Sequence, residues 1–390
     1  MRGWCEGGLD LALFLLPPVL ALVPRGAAPL DAAAGLCAAG LIAADRTANR
    51  LAGLRAPAVL LGGILAWGAL SAAWSIGPDR SGIMELRLAG LFAAALALAG
   101  AGICIRAPRR LAWCLAAGIA VAVALAFFDL LSGGALSRLV TVRPFAETRL
   151  NQLSACLALT TLPLAALLFC RGRPRLALLA GAAMAACVGM LDDTTAKLAL
   201  AASLPIAALV WWRRPATARI IAAIAVIGIL TAPLTLPMPA QSPALFARVD
   251  GFKKSAGHRL LIWWFAGERI AERPFAGWGL DSSRLIPGGK VEIRPGQQWL
   301  PLHPHDAALQ VWLELGAPGA ALFALLVGLL WRRLGAAAWP PPYAAAAGGS
   351  LTAALVIAMS GWGIWEEWWL ATLSLCLFAV LAIARVPKRG

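Results

Sequence analysis

The stretch Arg110-Leu-Ala-Trp-Cys-Leu-Ala-Ala-Gly-Ile-Ala-Val-Ala-Val-Ala-Leu-Ala-Phe-Phe-Asp-Leu-Leu131 decides the fold class. Between Arg110 and Asp129 it holds no charge, and its length is close to the ~20 apolar residues that a helix needs to cross a bilayer core. It lacks the polar/apolar alternation of a membrane-barrel strand, so the expected element is a helix. Similar stretches recur near 9–23, 28–44, 57–76, 82–104, 150–170, 176–191, 195–212, 217–236, 306–331, 343–362 and 366–384. With 61% apolar and 14% charged residues in 390, the chain has too little polar surface for a soluble domain, and it fits neither disorder nor a disulfide scaffold. The expectation is an all-α polytopic membrane protein with about 12 transmembrane helices. Residues 1–236 would hold helices 1–9, 237–305 one long outer loop, and 306–390 helices 10–12.

The net charge of +15 would suggest nucleic acid in a soluble protein, but here it sorts by membrane side. With the N-terminus inside, 18 of the 34 basic residues fall on inner segments against three acids, Glu6, Asp10 and Asp45. The remaining 16 basic and 16 acidic residues balance outside. The excess therefore orients the chain, and no nucleic-acid partner is expected. Both termini are expected on the inner side. Pro17-Pro18 interrupts the first apolar run, so that helix is expected to stay as an anchor rather than be cleaved. All eight Cys lie in or beside spans, which reads as packing.

The long loop carries all three His (His258, His303, His305), and a connection of this length is usually functional. Within it, 257–273 reads as an amphipathic helix. Leu260, Leu261, Trp264, Phe265 and Ile270 share one face, and Trp263 and Trp264 suit the headgroup level. The loop re-enters at Leu302-His-Pro-His-Asp-Ala-Ala-Leu-Gln-Val-Trp-Leu-Glu-Leu-Gly-Ala-Pro-Gly319. There His305 precedes a span, Asp306 is placed to cap it, Gln310 and Glu314 share a face, and Gly316 and Gly319 offer a patch for a closely packed helix. A neutral imidazole at that surface can take a proton from a hydroxyl, although a solitary surface His is inert in most proteins. Cations near outer span ends form a third set: Arg87, Arg143, Arg149 and Lys197. Intramembrane charge points to function, while charges at the very ends often only snorkel.

These residues resemble the O-antigen ligase and O-antigen polymerase superfamily. Its signature is His, then Asn, Ser or Gln, nine residues, then Gly-x-x-Gly and Gly, Thr or Tyr. Here His305, Asp306, Ala307 to Leu315 and Gly316-Ala-Pro-Gly319-Ala320 keep the spacing, with Asp306 and Ala320 departing. Asp306 is expected to alter the charge felt by His305. Trp74-Ser-Ile-Gly-Pro78, Arg259 with Trp263, Pro274-Phe-Ala-Gly-Trp-Gly279 and the Trp-rich Gly363–Trp369 are similar to further family segments. Where many members carry Ser-Arg, this chain has Ala196-Lys197, a point charge in place of a bidentate fork.

The resemblance implies an inner-membrane enzyme, working on the periplasmic side, that moves a glycan from an undecaprenyl diphosphate-linked donor to a hydroxyl of lipid A-core or another glycan acceptor. His305 would be the general base of an inverting displacement. Arg259 is the first candidate to clamp the diphosphate, followed by Lys197, Arg149, Arg143 and Arg87, with Glu314 a further substrate-binding candidate and Gly316 and Gly319 structural. His303 is expected to matter less. No cofactor or metal is implied; a zinc site of His258, His303 and His305 is the competing reading. A polymerase or a protein O-oligosaccharyltransferase shares the chemistry. A transporter of lipid-linked glycan is less favoured, because the polar groups gather on one face rather than mid-span.

Overall fold

The computed structural model describes residues 2–45, 48–106, 108–140 and 147–387; Arg143, one of the expected cations, lies outside the described residues. The chain is helical almost throughout. Helix α1 (Arg2–Leu22) and α2 (Ala27–Asp45) form the first hairpin, followed by α3 (Arg55–Ser71), α4 (Pro78–Cys104) and α5 (Pro108–Leu131). A short α6 (Ala135–Val140) precedes α7 (Asn151–Cys170), α8 (Pro174–Met190) and α9 (Thr194–Thr235). The long segment between α9 and the last three helices contains α10 (Met238–Gln241), α11 (Pro243–Phe252) and α12 (Lys254–Glu272), then a small hairpin of β1 (Glu292–Arg294) and β2 (Gln297–Gln298). The last three helices are α13 (Ala307–Ala336), α14 (Pro341–Ala358) and α15 (Glu367–Ile383).

Among the described residues, nine helical runs are long and apolar enough to cross a membrane, and α8 and α15 are shorter apolar helices. One run is two crossings. Helix α9 is non-helical at Arg213, two residues before Pro215. The Thr217 hydroxyl donates to the Leu209 carbonyl at 3.1 Å, a distance that eight residues of straight helix, about 12 Å of rise, would forbid. The helix therefore folds back at Arg213. Counting its two legs separately and adding α8 and α15 accounts for the twelve expected spans.

Some boundaries move. Helix α1 starts at Arg2 rather than near residue 9, because Arg2 pairs with Glu6 at 3.4 Å and donates to the Cys104 carbonyl at 3.0 Å. Helix α3 stops at Ser71 instead of 76, where Trp74 and Ile76 turn to meet the outer loop. The core centres on α7, whose span is 78% buried, with α14, α8 and α15 packed around it. Helices α9, α13 and α14 make a second layer, with α12 packed against α9 and α13.

Candidate functional site

The site is built on a broken helix. Helix α13 is interrupted at Gly316 (φ 61°, ψ −161°), a conformation open essentially only to glycine. The break frees backbone groups for the turn at Pro274–Gly279: Trp278 N–H donates to Leu313 O at 2.9 Å, Gly279 N–H to Glu314 O at 2.8 Å, and Ala317 N–H to Pro274 O at 2.9 Å. A Cβ on Gly316 would run into the Phe275 carbonyl, and one on Gly277 into the Glu314 backbone. The Gly316 and Gly319 patch therefore does not receive another helix. Gly316 receives a loop, and Gly319 faces Leu315 of its own helix. The Trp74–Pro78 segment secures the same turn from the other side, with Trp74 Nε1–H donating to Ala276 O at 3.0 Å, and Trp67 of α3 donates from Nε1–H to Leu315 O of α13 at 2.7 Å.

Below this turn sits a buried brace. Glu314 is 0% exposed. Its carboxylate accepts from Asp281 N–H (2.6 Å), Ser283 Oγ–H (2.5 Å), Gln310 Nε2–H (3.1 Å) and Trp365 Nε1–H (2.7 Å). Gln310 Oε1 in turn accepts from Ile364 N–H at 2.9 Å. The expected substrate contact is thus placed as an internal tie, with both oxygens already held by protein donors. It joins the outer loop, α13 and the turn between α14 and α15.

That last turn orients His305. Its Nδ1 lies 2.7 Å from the Gly361 carbonyl, which can only accept, so Nδ1 carries the proton and Nε2 keeps its lone pair. His305 has φ 57°, a left-handed conformation that costs an L-residue about 1–2 kcal/mol. Its backbone N–H is satisfied by His303 Nδ1 at 3.1 Å, which fixes the proton of His303 on Nε2. The two rings lie 4.3 Å apart. Trp263 Nε1–H donates to Pro304 O at 3.0 Å, tying α12 to this loop. His258 Nε2 meets Gln298 O at 2.8 Å, so each of the three His residues commits a ring nitrogen to a backbone group.

The electrostatics keep both imidazoles neutral. Burial pulls His305 below its ordinary 6.5; the Gly361 carbonyl opposes this, while Arg259 and His258 add to it. His303 is lowered to about 3 by burial, with His305, Arg284 and Arg259 contributing. Asp306 caps α13 by accepting from Leu309 N–H at 2.8 Å and is pushed up to about 7 by its burial. Its carboxyl is thus committed to the helix N-terminus beside His305.

The structure brings some expected cations together and separates others. Asp193, the N-cap of α9, is raised by burial but feels both Arg259 and Lys197, so those two cations share its neighbourhood, and Arg259 also acts on His305. Lys253 joins them by donating to Thr194 Oγ1 at 2.6 Å. Arg87 lies elsewhere, paired with Glu367 at 2.6 Å on the wall of a cavity of about 210 Å³ that also includes His303. Arg149 precedes α7, with its Nη1 buried and without a hydrogen-bond partner among the described residues. Sequence reasoning missed Gly361, whose carbonyl orients His305, and Asp281, Arg284 and Glu366 on the cavity wall. The Trp-rich Gly363–Trp369 segment was the available signal for that region.

Residues 179–324 match the family model for O-antigen ligase. A Rickettsia conorii protein with the provisional name polysaccharide ligase is 29% identical over 262 residues, covering 65% of this chain and 62% of its own. A similarly named Rickettsia felis protein is 28% identical over 270 residues (65% and 63%), and one from Rickettsia prowazekii is 32% identical over 155 residues (37% of each). The matched part thus spans a little under two thirds of the first two relatives. The family segment runs from α8 into α13 and contains Lys197, Arg259, His305, Glu314, Gly316 and Gly319. Through this segment the chain is similar to the O-antigen ligase family.

Proposed function

We propose that the protein is an O-antigen ligase-like glycosyltransferase. It takes a glycan from an undecaprenyl diphosphate carrier and joins it to a hydroxyl of lipid A-core on the periplasmic face of the inner membrane. The observation that carries this reading is His305: a neutral imidazole with Nδ1–H anchored on Gly361 and Nε2 free, within electrostatic reach of Arg259. In the reaction, the acceptor hydroxyl gives its proton to His305 Nε2 as its oxygen attacks the anomeric carbon. The bond from that carbon to the diphosphate oxygen breaks, and the electron pair leaves with the diphosphate. One displacement inverts the anomeric centre.

The leaving group gains charge as the bond breaks, so cations matter most there. Arg259 can grip a phosphate through two parallel N–H donors, and Lys197 adds a point charge beside it. The Asp193 carboxylate lies within electrostatic reach of both. The scheme calls for no metal or cofactor.

The test is complementation of a host lacking the gene. His305→Ala should insert and accumulate but leave lipid A-core without long glycan while lipid-linked polymer persists. Wild-type transfer by that variant would sink the base assignment. Arg259→Ala should raise the donor KM, and Arg259→Lys should restore it poorly. Single-repeat caps in the knockout would identify a polymerase instead, and loss of glycan from protein would identify a protein O-oligosaccharyltransferase.

A further inference from the structure

The cavity of about 210 Å³ beside His303 is not explained by a diphosphate clamp. Five separate pieces of chain assemble it: α4, the 281–285 turn, the loop at 302–303, Gln310 of α13 and the 363–367 turn. Its charges come as three couples. Arg80 pairs with Asp281 at 2.6 Å, Arg87 with Glu367 at 2.6 Å and Arg284 with Glu366 at 3.5 Å. Each cation is matched by an acid, so the wall carries no net charge. A phosphate there would meet three carboxylates together with the guanidinium groups, and such like-charge approach disfavours an anionic guest.

Resting on the reading of His305 as the base, we propose that this cavity is the acceptor subsite and holds the terminal sugar of the acceptor glycan as an uncharged polyol. A hydroxyl both donates and accepts. It can bridge a couple as no anion can, donating to the carboxylate and accepting from the guanidinium. The Arg284–Glu366 couple is the longest of the three, with both partners about one third exposed, and so is the readiest to open around a hydroxyl. Trp365, on the same wall, has its Nε1–H committed to Glu314 and is 6% exposed, so the small part of its ring that borders the cavity is a fixed apolar contact for C–H groups of a pyranose. The volume is below the ~300–1,000 Å³ of pockets that enclose whole ligands, which suits one end of a chain. His303 lines the cavity and its ring lies 4.3 Å from that of His305, so a sugar held here is one imidazole ring away from the base. Arg259 is not on this wall. Donor diphosphate and acceptor hydroxyl are thereby sorted by charge: an excess of cations at Asp193, Arg259 and Lys197, and a balanced wall in the cavity.

Saturation-transfer NMR on the full chain in nanodiscs tests this, with methyl glucoside and methyl galactoside as uncharged probes and glucose 6-phosphate as the charged one. Wild type should bind an uncharged glycoside in preference to the phosphate. Glu366→Gln should weaken that binding about tenfold, the loss expected for one charge-assisted hydrogen bond. It should also improve glucose 6-phosphate, because the wall then carries a net positive charge. A misfolded variant cannot produce such a reversal, and Glu366→Asp should retain most of the uncharged binding. Preference of wild type for the phosphate, no binding of either glycoside, or unchanged binding in Glu366→Gln would overturn the proposal. His305→Ala should still bind the glycosides in preference to the phosphate, losing at most the hydrogen bond that Nε2 makes to the acceptor hydroxyl. Glycan transfer by that variant would defeat the base reading and leave the binding result standing, whereas unchanged binding in Glu366→Gln would defeat the subsite alone.

Discussion

Replacing Glu314 by Gln keeps shape and volume and removes one acceptor. The consequence can be worked out bond by bond. Asp281 N–H and Trp365 Nε1–H both point at Oε2, and neither can turn round to accept. The introduced amide must therefore keep its oxygen on that side and place its NH2 toward Ser283 and Gln310. The Ser283 hydroxyl can rotate and accept. Gln310 cannot adapt freely, because flipping its amide would take Oε1 away from Ile364 N–H. One buried donor is left facing another, at about 1–3 kcal/mol, and two charge-assisted bonds become neutral ones, for about 1 kcal/mol more. The expected destabilisation is about 2–4 kcal/mol, a large part of the ~5–15 kcal/mol that holds a typical domain together.

The same reasoning predicts a rescue. Adding Gln310→Glu to Glu314→Gln restores complementarity, since the new carboxylate accepts from Ile364 N–H and from the introduced amide. Thermal unfolding in one detergent, measured for both single variants and the double variant, gives the coupling directly. The double variant should recover at least half of the loss. Catalytic readout should follow, with kcat falling more than donor KM rises in Glu314→Gln, because Ile364 and Gly361 lie on one turn and Gly361 orients His305. Wild-type stability of Glu314→Gln, or no recovery in the double variant, would refute the brace.

Three further outcomes are expected. Because burial and Arg259 hold His305 below 6.5, the base stays unprotonated into mildly acidic solution, so the acid limb of kcat/KM should lie below pH 6.5; a limb at or above that value contradicts the assignment. Gly316→Ala should cost at least about 1–3 kcal/mol in backbone strain and collide with the Phe275 carbonyl, reducing both accumulation and transfer, as quantitative blotting and glycan analysis would reveal. Asp306→Asn should be nearly silent in melting temperature and in the pH profile, since Asn caps a helix as well as Asp, whereas Asp306→Ala should lose about 1 kcal/mol; a moved acid limb in Asp306→Asn would establish an electrostatic role for that residue.

What was legible in the sequence follows from the range of the forces involved. Span number and type come from local hydrophobicity, and the apolar runs around residue 120 or residue 160 permit only one structure in a bilayer. The fold-back at Arg213 was equally local, since the apolar runs on either side read as separate spans. The His305 to Gly319 spacing carried the site because all its members lie on one helix and its approach. The partners of that segment lie far along the chain: Gly361 is 56 residues from His305, and Trp67 is 248 residues from Leu315. No periodicity encodes such pairings.

The glycines show the same limit from the other direction. A small-residue pair in an apolar run does mark close approach, as read, but whether a helix or a loop approaches depends on φ. A positive φ at Gly316 turns the patch into a gap in the backbone ladder, and the Pro274–Gly279 turn fills it by supplying hydrogen bonds that the break would otherwise leave unmade. Inside a membrane, a broken helix survives only where protein or water replaces those bonds. The break and the turn therefore depend on each other, and together they place the buried Glu314 carboxylate where it can accept from Asp281, Ser283, Gln310 and Trp365 at once.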